Sequence, residues 1–128
     1  MKISKKAEYG LTAMIHLAKN KNKKAVSIRE ISNIEAVPFE FLSKIFSVLE
    51  KAKLVTAKHG ANGGYILAKA PQRISANDVV SVLETNKQGA DCALCSRKRK
   101  CLTKTVWAKV EKALHKTLSE ITLANLIK

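Results

Sequence analysis

A chain of 128 residues, 46% of them hydrophobic, is long enough to bury one core and short for two domains of ordinary size. Its 24 basic residues against 10 acidic ones give a formal net charge of +14, which points to a polyanionic partner, nucleic acid before an anionic membrane surface. The excess is spread along the chain, with 13 basic and 5 acidic groups in residues 1–70 and 11 and 5 in residues 71–128, so it is not a basic tail on a neutral domain, and the apolar content argues against disorder.

In chain order, Ser4 is placed to cap a first helix whose apolar stripe is Ala7, Leu11, Met14, Ile15 and Ala18. Glu8 falls near the edge of that stripe in the first turn, where a carboxylate favours the helix dipole. Tyr9 and His16 have no evident chemical partner in the sequence. The basic start and apolar centre superficially suggest a secretory leader, but Glu8 and His16 interrupt the run and no small-residue cleavage site follows. No stretch is apolar enough to span a bilayer, so the expectation is a cytoplasmic protein with reduced thiols and no membrane partner.

The stretch from Ser27 to Leu67 organises the rest. Ser27 and Glu30 have capping-box spacing at the start of a short helix with Ile28 and Ile31 on its apolar side. Val37 is held extended by Pro38, which opens a second helix. Along that helix Leu42, Ile45, Phe46 and Leu49 form one buried stripe, with Glu40, Ser43, Lys44, Ser47 and Lys51 opposite and Phe41 and Val48 on the flank. This is a helix-turn-helix pattern. Leu54 and Val55 start a strand, Tyr65 to Leu67 form its return, and the connection HGANGG tolerates positive φ, so the hairpin is a wing. The candidate DNA-binding residues are Glu40, Phe41, Ser43, Lys44 and Ser47 on the second helix, and Lys58, His59, Gly60, Asn62 and Gly63 on the wing. An ordinary three-helix core with a surface hairpin has the same pattern, and helix-turn-helix geometry also serves proteins that never touch DNA.

After the wing, Pro71 marks a break, and Ser75 with Asp78 caps a helix carrying Val79, Val80, Val82 and Leu83. The loop NKQGADCALCSRKRKC has no periodicity. A last helix from Thr103 carries Val106, Trp107, Val110, Leu114, Leu118 and Ile121, more than so small a domain needs to cover, and is expected to pack on a second subunit. Thr122 caps a final turn. The fold class is mainly α with a small β-hairpin wing: a winged helix-turn-helix with a long C-terminal dimerisation helix. Residues 1–86 form the DNA-binding winged helix, 87–102 the cysteine loop, and 103–128 the dimerisation helix and C-terminal turn.

Cys92, Cys95 and Cys101 are the only cysteines and fall within ten residues. The spacing C-x2-C-x5-C lets three thiolates converge on one metal or cluster. His115 lies about 20 Å along an intervening helix from Cys101, at about 1.5 Å per residue, which argues against a compact zinc knuckle. A reactive thiol pair is the other reading, since Arg97, Lys98, Arg99 and Lys100 stabilise thiolate. An enzyme reading would make one cysteine a nucleophile, but no histidine stands near in sequence to act as base and no pocket motif is visible, so none is expected.

The segments MKISKKAEYGLTAMIHLA, FLSKIFSVLEKAKLV, GANGGYILAKAP, ISANDVVSVLE, CLTKTVW and ITLANL resemble the Rrf-two family of winged-helix transcription regulators over nearly the whole chain. The resemblance implies a homodimer on a double-stranded DNA operator, recognition helices in successive major grooves, wings in flanking minor grooves, and C-terminal helices crossed between subunits. It also implies an iron–sulfur cluster, 2Fe–2S or 4Fe–4S, on Cys92, Cys95 and Cys101, with Glu8 of the partner subunit as a further ligand. His59 stands where the family's wing usually has arginine, Lys104 where some members place a histidine ligand, and the cysteines are closer together than usual. The implied function is a homodimeric, sequence-specific transcriptional regulator sensing redox state, iron–sulfur status or nitric oxide. The alternative is a thiol-based or small-ligand-responsive repressor without a cluster.

Overall fold

Ser4 sits in extended conformation and its hydroxyl accepts the Ala7 N–H at 3.1 Å, opening α1 (Lys5–Lys19). The computed structural model describes residues 3–20, 24–84 and 103–127. The Ser4 N–H donates to the Glu84 carboxylate at 3.0 Å, which ties the start of α1 to the end of α4 (Ala76–Leu83). The face of α1 in the core is Ala7, Gly10, Ala13, Met14, Leu17 and Ala18. Leu11 and Ile15, expected within the stripe, lie at its margin, partly buried against the core. Space decides this at Gly10, where a Cβ would fall 2.0 Å from Leu83 Cδ1, so α1 approaches α4 most closely where it has no side chain.

α2 (Ile28–Glu35) and α3 (Phe39–Lys51) follow, then β1 (Val55–Lys58) and β2 (Gly64–Leu67), an antiparallel hairpin with Val55 opposite Leu67 and Lys58 opposite Gly64. The segment entering α2 joins this hairpin as a single bridge: the Val26 N–H donates to the Tyr65 carbonyl at 3.0 Å, and the Tyr65 N–H donates to the Val26 carbonyl at 2.8 Å. Gly64 (φ +156°) makes that approach possible, because a Cβ there would lie 2.3 Å from the Val26 oxygen. A 3-10 turn (Pro71–Arg73) leads to α4, whose capping box pairs Ser75 with Asp78 in both directions.

α5 (Lys104–Glu120) and α6 (Leu123–Leu126) close the chain. α6 belongs to the core: Leu123 is fully buried, its N–H donates to the Ile74 carbonyl at 2.9 Å, and the Ala76 N–H donates to the Ile121 carbonyl at 2.7 Å. α5 has no buried residue. Leu118 packs on the core, whereas Val106 is 53% exposed and Trp107, Val110 and Leu114 are only partly covered. Among the described residues no helix is long and apolar enough to cross a membrane.

Candidate nucleic-acid interface

The turn between α2 and α3 is built by Ala36 in the left-handed region (φ 56°, ψ 42°), with the Val37 N–H donating to the Ser32 carbonyl at 3.2 Å and the Ser32 hydroxyl donating to the Val37 carbonyl. Val37 is buried beneath the turn, and Pro38 (φ −55°, ψ 132°) is the N-cap of α3, one residue short of the helix's first turn. Burial of Leu42, Ile45, Phe46 and Leu49 fixes the rotation of α3. That rotation leaves Glu40, Lys44 and Ser47 exposed, with Ser43 partly covered. Phe41 is also partly buried, its ring edge-on to Tyr9 at 5.5 Å and 88°. Tyr9 therefore has a partner that only the fold reveals.

The wing is coupled to this helix by aromatic stacking. Phe46 of α3 and Tyr65 of β2 have ring centroids 4.6 Å apart at 29°. Burial pushes the Tyr65 hydroxyl above the ordinary phenol range, and the Glu50 carboxylate pushes in the same direction. Lys58, His59, Gly60 and Asn62 are exposed at the tip, with Gly63 partly covered; the Gly63 N–H donates to the Gly60 carbonyl at 3.0 Å and closes the turn. Of the DNA-binding candidates, Lys58 and His59 line a cleft of about 330 Å³, together with Ser27, Ile28 and Arg29 at the start of α2 and Phe39 at the start of α3.

Two contacts here were not legible from spacing. His16 of α1 lies between two carboxylates of α2, its Nδ1 3.2 Å from Glu35 Oε1 and its Nε2 3.9 Å from Glu30 Oε2. This alters the expected capping box: Ser27 accepts the Glu30 N–H at 3.1 Å, but the Glu30 carboxylate faces His16, and the reciprocal bond to Ser27 is not among the described hydrogen bonds. The other is the Arg29 guanidinium, 4.6 Å from the centre of the Phe39 ring. A basic residue at the start of α2 and an aromatic at the start of α3 were the available signals, without anything to pair them.

Glu8 is exposed at the start of α1, its carboxylate 3.5 Å from Lys5 Nζ. Lys104 is exposed at the first position of α5. Cys92, Cys95 and Cys101 lie outside the described residues, and among the described residues no three histidine, cysteine or carboxylate side chains gather as a metal site. As a donor set, three thiolates suit an iron–sulfur cluster, and the exposed Glu8 carboxylate, paired among the described residues with a surface lysine, is open to a further bond.

A helix-turn-helix with a polar outward face, followed by a glycine-tipped hairpin, defines the winged-helix class, and the strongly basic chain suits it to nucleic acid. The family model for Rrf2, described as an iron-dependent transcriptional regulator, matches residues 3–128, and the chain belongs to that family. Protein rrf2 of Nitratidesulfovibrio vulgaris is 33% identical over 132 residues, covering 100% of this chain and 88% of that protein. Among solved structures, IscR of T. potens superposes with a TM-score of 0.82 at 36% identity, covering 99% of this chain and 86% of that one. CymR, the global cysteine regulator of B. subtilis, also superposes with a TM-score of 0.82, at 31% identity over 99% of this chain and 96% of that one.

Proposed function

We propose that the chain is a homodimeric, sequence-specific DNA-binding transcriptional regulator whose operator affinity is set by an iron–sulfur cluster on Cys92, Cys95 and Cys101. The observation that carries the DNA-binding part is the exposed face of α3, with Lys44 and Ser47, held in fixed relation to the wing by the Phe46–Tyr65 stack. Lys44 is assigned to base edges in the major groove, and His59 and Asn62 to the flanking minor groove. The dimer is supported by α5, whose partly exposed Val106, Trp107, Val110 and Leu114 leave an apolar stripe unburied in one chain. The reading carries a cytoplasmic location, where thiols stay reduced.

The cysteine thiolates would hold the cluster, with Glu8 of the partner subunit completing it, and Arg97 to Lys100 would offset the negative charge of thiolates and sulfides. When bound, the cluster supplies a redox-sensitive charge and a cross-link on the loop that leads into α5. Affinity then changes through a two-state shift in the spacing of the recognition helices. The same thiols without a cluster make the second reading, a thiol switch, favoured by the likeness to CymR, which matches that to IscR in TM-score at somewhat lower identity. Anaerobic purification followed by absorption spectroscopy with iron and sulfide assays separates the two. Bound iron with sulfide, lost in Cys92→Ala, is the expected result; iron-free protein that resists reconstitution leaves the thiol switch.

A further inference from the structure

Phe39 is 38% exposed although it is the first residue of α3, at the edge of the face assigned to DNA. What covers the ring is a cation, the guanidinium of Arg29, 4.6 Å from its centre. Arg29 takes part in none of the described ion pairs, and the acidic residue beside it, Glu30, is turned toward His16. An arginine stacked on an aromatic face is fixed in plane while its N–H donors remain available at the edge, because the ring competes for none of them. The pair lines a cleft between the start of α2, the first residue of α3 and the wing, together with Lys58 and His59, and none of the lining residues is acidic. In any duplex the major and minor grooves are separated by a phosphate backbone. A protein that puts α3 in one groove and the wing in the next has that backbone crossing the space between them.

We infer that Arg29, held over the Phe39 ring, is a preorganised phosphate clamp for the DNA strand passing between α3 and the wing. The inference rests on the DNA-binding reading above and adds to it a positioning pair outside both the recognition face and the wing tip. The chemistry is that of a phosphodiester: a planar fork of donors suits two phosphate oxygens at once, and an ammonium in the same place supplies only a point charge. The Phe39 ring restricts the rotamers of Arg29 before binding, so less freedom is lost when the phosphate arrives.

The test is a salt titration of the full-length chain on a mixed-sequence duplex, read by fluorescence anisotropy, with melting temperatures confirming that each variant is folded. Arg29→Ala is expected to weaken binding several-fold and to reduce the slope of log affinity against log salt by about 0.9, one phosphate contact. Arg29→Lys restores the slope but not the affinity. Phe39→Leu leaves the slope at the wild-type value and still weakens binding, since the charge remains and only its platform is gone. Wild-type affinity and slope in Arg29→Ala would overturn the clamp, as would full recovery of affinity in Arg29→Lys or wild-type affinity in Phe39→Leu. A wild-type chain with no salt-dependent binding to any duplex would overturn the DNA-binding reading itself, which the variants leave untouched.

Discussion

Replacing Phe46 with leucine tests whether α3 and the wing act as one unit. The side chain is fully buried, and its ring stacks on Tyr65 at 4.6 Å. Complete truncation of a buried phenylalanine costs about 3–5 kcal/mol; leucine retains part of the volume, and an aromatic pair adds about 0.5–1.5 kcal/mol beyond its burial, so Phe46→Leu should lose about 2–3 kcal/mol. At about 4 °C per kcal/mol for a domain of this size, the melting temperature falls by about 8–12 °C. Thermal unfolding followed by circular dichroism gives the total. A cycle with Tyr65→Leu isolates the pair, with an expected coupling of about 0.5–1.5 kcal/mol. Below the lowered melting temperature the variant should also bind duplex DNA more weakly, because Tyr65 no longer sets the angle of β2. Strict additivity in the cycle, or unchanged DNA affinity in the folded variant, would refute the coupling of helix and wing.

Lys44→Ala is expected to cost about 1–3 kcal/mol at one operator position while sparing mixed-sequence DNA; equal losses on both, in a binding-site selection followed by anisotropy, would make Lys44 a phosphate contact only. Val110→Glu places a charge in the open stripe of α5 and should yield a folded monomer in analytical ultracentrifugation, whereas a persisting dimer would move the interface elsewhere. Tyr65→Phe addresses the raised hydroxyl. Above pH about 10 the unfolded chain releases this proton before the folded one does, so the native state binds more protons and stability falls as pH rises through that window. Denaturant titrations across it should show a smaller loss for Tyr65→Phe than for wild type, and parallel curves would contradict the assignment.

The helix-turn-helix and its wing were legible because local chemistry and periodicity agree there: Pro38 opens α3, four apolar residues set its rotation, and HGANGG has the composition of a hairpin tip. The face of α1 was read only in part, since hydrophobicity ranks Leu11 and Ile15 above Gly10 and Ala13, whereas both small residues are buried and the close approach to Leu83 requires glycine at position 10. The His16–Glu35 contact joins residues 19 apart on different helices, and no local pattern announces it. It also explains the half-formed capping box, because Glu30 has the right spacing and a competing partner in His16. Arg29 and Phe39 meet around the turn, where a left-handed Ala36, unremarked in the sequence, reverses the chain. The cysteine segment has no periodicity to read, and the ligand role proposed for it rests on spacing and on the family resemblance.

The central claim is a dimer whose grip on DNA depends on a cluster held by its cysteines. Its most direct test is to titrate anaerobically purified protein onto a duplex selected from a random pool, before and after the iron is removed by chelation under reducing conditions, with Cys92→Ala and Glu8→Ala alongside. Iron and sulfide are expected in the wild type and absent from Cys92→Ala. Operator affinity should differ between the loaded and stripped forms by about 5- to 150-fold, the usual range of allosteric coupling, and Glu8→Ala should retain iron with an altered spectrum or faster decay. Identical affinity in the loaded, stripped and Cys92→Ala forms would contradict it.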